Sequence, residues 1–164
     1  MAAPDGVDRI IDQWHDQRPD LDTQAMAVFG RIFRLARLAA EGTEKIYATY
    51  GIGRPEFDLL ATLRRAGDPF ELSPGALAAS MMLSTGGTTA RLDRLEKAGL
   101  AARSPSPTDR RGIVVRLTEK GKETVDQAVG AGLAEQQRLL SVLAAPQRSH
   151  LEELLRDLLS SLEK

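Results

Sequence analysis

The chain has 164 residues, 22 Lys and Arg against 23 Asp and Glu, a formal net charge of −1 and no cysteine. A domain of this length buries about 68–70% of its unfolded surface, so no covalent staple is required, and the lack of thiols excludes disulfides, thiolate metal sites and oxidation sensing through cysteine. No run of eighteen apolar residues occurs, which argues against a membrane-spanning helix, and the N-terminus is too acidic and polar for a signal peptide, so a cytoplasmic location is expected.

Val7, Ile10, Ile11 and Trp14 follow i, i+3, i+4, i+7 spacing, which predicts a short amphipathic helix over residues 6–17, stopped before Pro19. Asp22 or Thr23 can cap a long helix running to about Tyr50, with Met26, Phe29, Ile32, Phe33, Ala36 and Leu38 at helical spacing and Gly51 and Gly53 ending it. Pro55 suits the first turn of a third helix whose apolar body is Phe57, Leu59, Leu60 and Leu63. Residues 70–72 read as a very short strand. Ser73 and Pro74 start a helix reaching Met82, a break follows near Leu83 and Ser84, and a further helix runs to Ala98, so the pair forms a helix-turn-helix. Gly99 can end that second helix in a left-handed conformation. Residues 100–104 and 112–117 are strand-like, and Pro105, Pro107, Thr108 and Asp109 between them favour a turn. Thr118 can then cap a new helix with Glu119 in its first turn, and residues 124–143 and 147–162 read as helices divided at Pro146.

A helix followed by a hairpin whose tip carries Asp109, Arg110 and Arg111 suits a duplex. The helix fits the major groove, and a slender arginine tip can enter the narrower, more electronegative minor groove. Steps of about 100° along the helix set Thr85, Thr88, Leu92 and Leu95 on one side and Gly86, Gly87, Ala90 and Arg94 on the other. The second side is expected to face outward, nearly bare of side chains up to Arg94. The set expected on DNA is therefore Ser84, Gly87, Thr89, Ala90 and Arg94 from the helix, and Asp109, Arg110 and Arg111 from the tip, with Asp109 holding Arg111. A solvated charged hairpin on an ordinary helix is the plainer alternative. Charge favours the first reading: residues 84–111 hold six cations and three anions, whereas residues 119–164 hold six cations and eight anions. The positive charge is concentrated where contact is expected.

The last helix carries Leu151, Leu154, Leu155, Leu158, Leu159 and Leu162, a stripe too wide for a lone surface helix. The two ends of the chain are therefore expected to pack across a twofold axis as a homodimer; a monomer folding its own ends together is the alternative.

The order helix, helix-turn-helix, hairpin with Asp109-Arg110-Arg111, then Leu117-Thr118-Glu119-Lys120-Gly121, resembles the MarR family of bacterial transcription regulators, and Arg91-Leu92-Asp93-Arg94-Leu95-Glu96-Lys97-Ala98-Gly99 is highly typical of it. The resemblance covers nearly the whole chain. It implies a mainly α (α+β winged helix) fold as a single unit over residues 1–164, with a winged helix-turn-helix lobe at 54–118 and helical dimerisation regions at 1–50 and 119–164. It also implies an obligate dimer on a pseudo-palindromic operator of double-stranded DNA, often weakened by small anionic or aromatic ligands, with Arg94 as the main major-groove contact and Arg111 in the minor groove.

Residues 8–14, 18–22 and 56–64 are similar to the PecS and urate-responsive branch of that family. The similarity implies a ligand site of Trp14, Asp58, Arg91 and Arg103, and repression relieved by a planar anion such as urate. Arginine forks offer paired N–H donors to a delocalised oxyanion, an aspartate accepts from a ring N–H, and an indole can stack on a flat ring. Two departures stand out: Thr23-Gln24-Ala25-Met26 where the branch has serine and proline before the methionine, and the paired Gly86-Gly87 in the reading helix, which is not typical of it. Asp58 and Arg103 as a structural ion pair, Trp14 as interface core and Arg91 on a phosphate remain the alternative. A DNA-binding regulator without a ligand and a winged-helix protein-interaction module also stay open. No Gly-rich phosphate loop, nucleophile set or metal cluster is visible, His15 and His150 lack partners at ligand spacing, and neither an enzyme nor a cofactor is expected.

Overall fold

The computed structural model describes residues 3–81, 85–106, 109 and 112–163. Its elements run α1 (Gly6–Gln17), α2 (Gln24–Thr49), α3 (Arg54–Arg65), β1 (Glu71–Leu72), α4 (Pro74–Ser80), α5 (Thr85–Lys97), β2 (Ala101–Pro105), β3 (Ile113–Leu117), α6 (Glu119–Leu140) and α7 (Ala145–Leu162). This is the mainly helical architecture with a small antiparallel sheet that a winged helix requires. Among the described residues no helix is long and apolar enough to cross a membrane. Contacts divide the chain into two compact units, Met1–Gly42 and Thr43–Lys164, the boundary falling inside α2.

In the first unit, Asp5 caps α1 by accepting the Val7 and Asp8 N–H groups, and Asp8 accepts the Asp5 N–H in return. Arg31 of α2 reaches both carboxylates, at 2.9 Å to Asp5 and 2.6 Å to Asp8. These bonds, led by the main-chain N–H donors, hold both carboxyls below their ordinary range. Val7 is buried against Gly30, where a Cβ would lie 3.0 Å from its methyl group. Of the two candidate caps for α2, Asp22 accepts the Gln24 N–H at 2.9 Å, while the Thr23 hydroxyl bonds His15 Nε2 at 2.8 Å.

The second unit holds the main core. Leu59, Leu60 and Leu63 of α3, Leu77 of α4, Leu92 and Leu95 of α5, Val115 of β3 and Val125 of α6 all pack together, each at most 1% exposed. The sheet runs β1-β3-β2, with Arg103 opposite Val115 and Glu71 opposite Arg116, whose side chains pair at 2.6 Å.

Two prolines differ from the sequence expectation. Pro105 is not in the turn but ends β2 opposite Ile113. It is tolerated because β2 is an edge strand, where a missing N–H costs little. Pro146 does not divide two helices but lies in the first turn of α7, where its missing N–H would have been unsatisfied anyway; α6 itself starts at Glu119 and ends at Leu140. Gly99, with φ +69°, closes α5: Leu100 N–H bonds Leu95 O and Gly99 N–H bonds Glu96 O, both at 2.9 Å.

Candidate nucleic-acid interface and effector cleft

Helix α5 buries one face and shows the other, as its periodicity requires. Thr88, Leu92 and Leu95 are at most 2% exposed, whereas Gly87, Thr89, Ala90 and Arg94 are exposed. Lys97, one turn beyond Arg94, is exposed as well. Arg94 does not project freely. Its Nε donates to Glu56 Oε1 at 2.7 Å, a partner 38 residues away that no spacing rule singles out.

Ser84, Arg110 and Arg111, expected on DNA, lie outside the described residues, as do Met82 and Leu83 at the break of the helix-turn-helix. Local bonds join the described residues between β2 and β3. Ser106 N–H bonds Gly112 O and Gly112 N–H bonds Asp109 O, each at 2.9 Å, and Ser106 Oγ accepts the Asp109 N–H at 3.2 Å.

The C-terminal end of α5 is tied to the start of α6. Thr118 Oγ1 donates to Gly99 O at 2.8 Å and accepts the Gly121 N–H at 2.9 Å. Thr118 N–H bonds Leu100 O at 3.2 Å, and Lys120 Nζ bonds Ala98 O at 2.9 Å. Three successive carbonyls just beyond α5 are thus taken by Thr118 and Lys120.

Asp58 and Arg91 line one cleft of about 320 Å³ together with Thr62, Arg65, Ser80 and Met81. Its volume is at the lower end of the range typical of small-molecule sites. Asp58, Thr62 and Arg65 share one face of α3, Ser80 and Met81 close α4, and Arg91 comes from α5. The α3 side is knit together: Arg54 Nε bonds Asp58 at 2.8 Å, Thr62 Oγ1 donates to Asp58 O at 2.8 Å, and Arg65 Nη2 donates to Thr62 Oγ1 at 3.2 Å. Arg91 is half-buried and makes no ion pair among the described residues. Arg65 is a second cation that the sequence reading missed, although i, i+4, i+7 spacing from Asp58 placed it on the same face.

The other two expected ligand residues are Arg103 and Trp14. Arg103 does not line the cleft; its Nη2 pairs with Asp93 at 2.8 Å, and its Nη1 and main-chain N–H both bond Glu96. Asp58 is therefore paired with Arg54, not with Arg103. Trp14 lies in the first unit, 42% exposed, beside Gln13 and Gln17 in a shallow depression.

A model of the MarR family matches residues 50–112. The chain is 36% identical over 155 residues to the HTH-type transcriptional regulator PecS of Dickeya dadantii, covering 94% of this chain and 93% of that protein. Among solved structures, AbsC, a MarR family transcriptional regulator from Streptomyces coelicolor, has the same fold with a TM-score of 0.76 at 24% identity over 87% of this chain and 97% of that one. A mutant MarR from E. coli complexed with operator DNA gives a TM-score of 0.69 at 26% identity, over 89% of this chain and 97% of that one. With relatives of this similarity along almost its whole length and a winged helix-turn-helix at its centre, the chain belongs to the MarR family: it is a DNA-binding transcriptional regulator and not an enzyme.

Proposed function

We propose that the protein is a ligand-responsive repressor that binds a pseudo-palindromic operator as a homodimer and is released by a small planar anion such as urate. The reading helix is α5, with Ser84, Gly87, Thr89, Ala90 and Arg94 toward the major groove, and Asp109, Arg110 and Arg111 serve the minor groove. Dimerisation rests on the helical regions at 1–50 and 119–164 that flank the winged lobe at 54–118. It is supported by α7, which buries none of its residues within the chain and leaves Leu151, Leu154, Leu155, Leu158, Leu159 and Leu162 at least 37% exposed. Such a patch on a helix calls for a partner.

The observation that carries the ligand reading is the cleft shared by α3 and α5, with a half-buried Arg91 that makes no ion pair among the described residues. Two guanidinium groups, a carboxylate and two hydroxyls match a planar anion that also carries ring N–H donors. An anion held between Arg65 and Arg91 fixes α5 against α3, and a conformer so fixed need not present its two reading helices one helical turn apart. Arg103, committed to Asp93 and Glu96, is left out of the proposed site. Trp14, the single tryptophan, serves as a fluorescent reporter.

The test is operator release by urate with wild-type protein and with Arg91→Ala. Urate is expected to dissociate the wild-type complex, and Arg91→Ala to raise the required urate at least about tenfold, as loss of a charge-assisted pair demands. No release of the wild-type complex by urate at millimolar concentration refutes the ligand reading and leaves the DNA reading standing.

A further inference from the structure

The way Arg94 is held bears on operator discrimination, a consequence that rests on the reading of Arg94 as a base contact. Arg94 is 59% exposed, yet its Nε is bonded to Glu56, whose side chain is 14% exposed. The carboxylate is itself fixed. Its Oε2 accepts the Gly53 N–H at 3.2 Å, the half of a capping box that remains when glycine occupies the N-cap. The fit is close, since a Cβ at Gly53 would lie 2.9 Å from Glu56 Oε2 and 3.2 Å from Glu44 Oε1. Glu44 in turn accepts the Arg54 N–H at 3.0 Å. The rest of α3 is anchored by three fully buried leucines, Leu59, Leu60 and Leu63. A rigid acceptor on one helix therefore grips the flexible cation of another.

The grip selects an edge. With Nε engaged by Glu56, the donors left to Arg94 are those of its two terminal nitrogens. Reading guanine takes two parallel N–H bonds, to O6 and N7, from a guanidinium at a set angle, whereas a phosphate accepts whichever donor is nearest. We propose that Glu56 is a positioning residue for operator discrimination: it presents Arg94 to a base edge and keeps it from swinging onto the phosphate backbone.

Two effects of removing its charge then have opposite signs. Losing an anion beside the duplex strengthens binding to any DNA, while freeing Arg94 weakens discrimination between sequences. An acid that merely capped α3 would leave discrimination unchanged. Glu56→Gln is the informative variant, because a glutamine at this position still accepts the Gly53 N–H and preserves the helix start.

The experiment measures full-length protein by fluorescence anisotropy on a duplex selected from a random library by the wild type, and on a scrambled duplex of equal length, across several salt concentrations. A thermal melt reports folding alongside. Glu56→Gln is expected to bind the scrambled duplex more tightly, and its selected-to-scrambled affinity ratio is expected to fall about tenfold, the scale of one bidentate base contact. In an Arg94→Ala background the same change is expected to leave the ratio unmoved. A Glu56→Gln ratio within twofold of the wild type, in a protein whose Arg94→Ala variant does lose operator affinity, overturns the positioning role alone. Unaltered operator binding by Arg94→Ala overturns both the contact and this inference.

Discussion

Gly121→Ala is expected to destabilise the protein through one contact whose size follows from the structure. A Cβ at Gly121 would lie 1.9 Å from Leu100 O and 2.8 Å from Leu100 C, main-chain atoms that no rotamer change can move. Real Cβ contacts stay beyond 3.0 Å, so α6 and the α5–β2 junction must part by more than about 1 Å. That displacement strains the Thr118 N–H bond to Leu100 O, already 3.2 Å long. It also loosens the fully buried Val125 one turn along. Overpacking costs about 1–3 kcal/mol and a lost hydrogen bond about 1 kcal/mol, against less than about 1 kcal/mol recovered in helix propensity. The net loss of about 2–3 kcal/mol corresponds to a fall in Tm of roughly 4–12 °C at this chain length. Gly130→Ala, on the same helix with nothing within 4 Å of its would-be Cβ, is the control and is expected to be neutral or stabilising. Melts are compared at one protein concentration, since subunit association shifts Tm. A Gly121→Ala protein melting within 2 °C of the wild type, or a Gly130→Ala protein that loses as much, refutes the reasoning.

Leu159→Glu, at an α7 leucine that is 57% exposed in the single chain, is expected to give a folded monomer with much weaker operator binding. Burying a leucine is worth about 1.5–3 kcal/mol and a twofold axis counts it twice, so the proposed dimer weakens by at least about a hundredfold; sedimentation equilibrium checks this. Tyr47 predicts an alkaline limit. It is 3% exposed and stacked on Phe57 at 4.0 Å, and burial pushes its phenol above the ordinary value of 10.0. A raised folded value means that the stabilisation is complete below about pH 10 and is lost as pH climbs through the folded value. Thermal melts of Tyr47→Phe should therefore fall less steeply above pH 10 than those of the wild type, and equal slopes would remove Tyr47 as the cause.

Much of this was legible in the sequence where local rules govern. The buried and exposed faces of α5 follow from the spacing of Thr88, Leu92 and Leu95, and its end from Gly99, because a helix turn is set by residues within four of one another. Pro105 and Pro146 were misjudged for a related reason: proline marks a missing donor, and only the partner strand or the helix start decides whether that donor was needed. The cleft was half legible. Asp58 and Arg91 meet there, but Ser80 and Met81 join through the packing of α4, which no spacing rule encodes. Arg103 carries the right chemistry for an anion, yet Asp93 and Glu96 on α5 already occupy it. Glu56 was invisible as a partner of Arg94, since only the packing of α3 against α5 brings them within 2.7 Å.

For an effector in the cleft to empty the operator, it must bind the DNA-free arrangement more tightly than the DNA-bound one, because equal affinity for both shifts nothing. The cleft offers a specific source of that difference. If Arg91 meets the anion only when α5 is turned away from its DNA-reading angle, one charge-assisted hydrogen bond of about 1.5–3 kcal/mol separates the two states in each subunit. That is a coupling of roughly 10- to 150-fold per site, and the proposed homodimer has two such sites. Linkage makes the relation reciprocal, so saturating operator must weaken urate by the same factor as urate weakens operator. Calorimetric titration of urate into the free protein and into the operator complex therefore measures the coupling twice over, from either side. If urate binds both forms with one affinity, the cleft is not coupled to α5, and Arg91 acts as a plain cation on the reading helix.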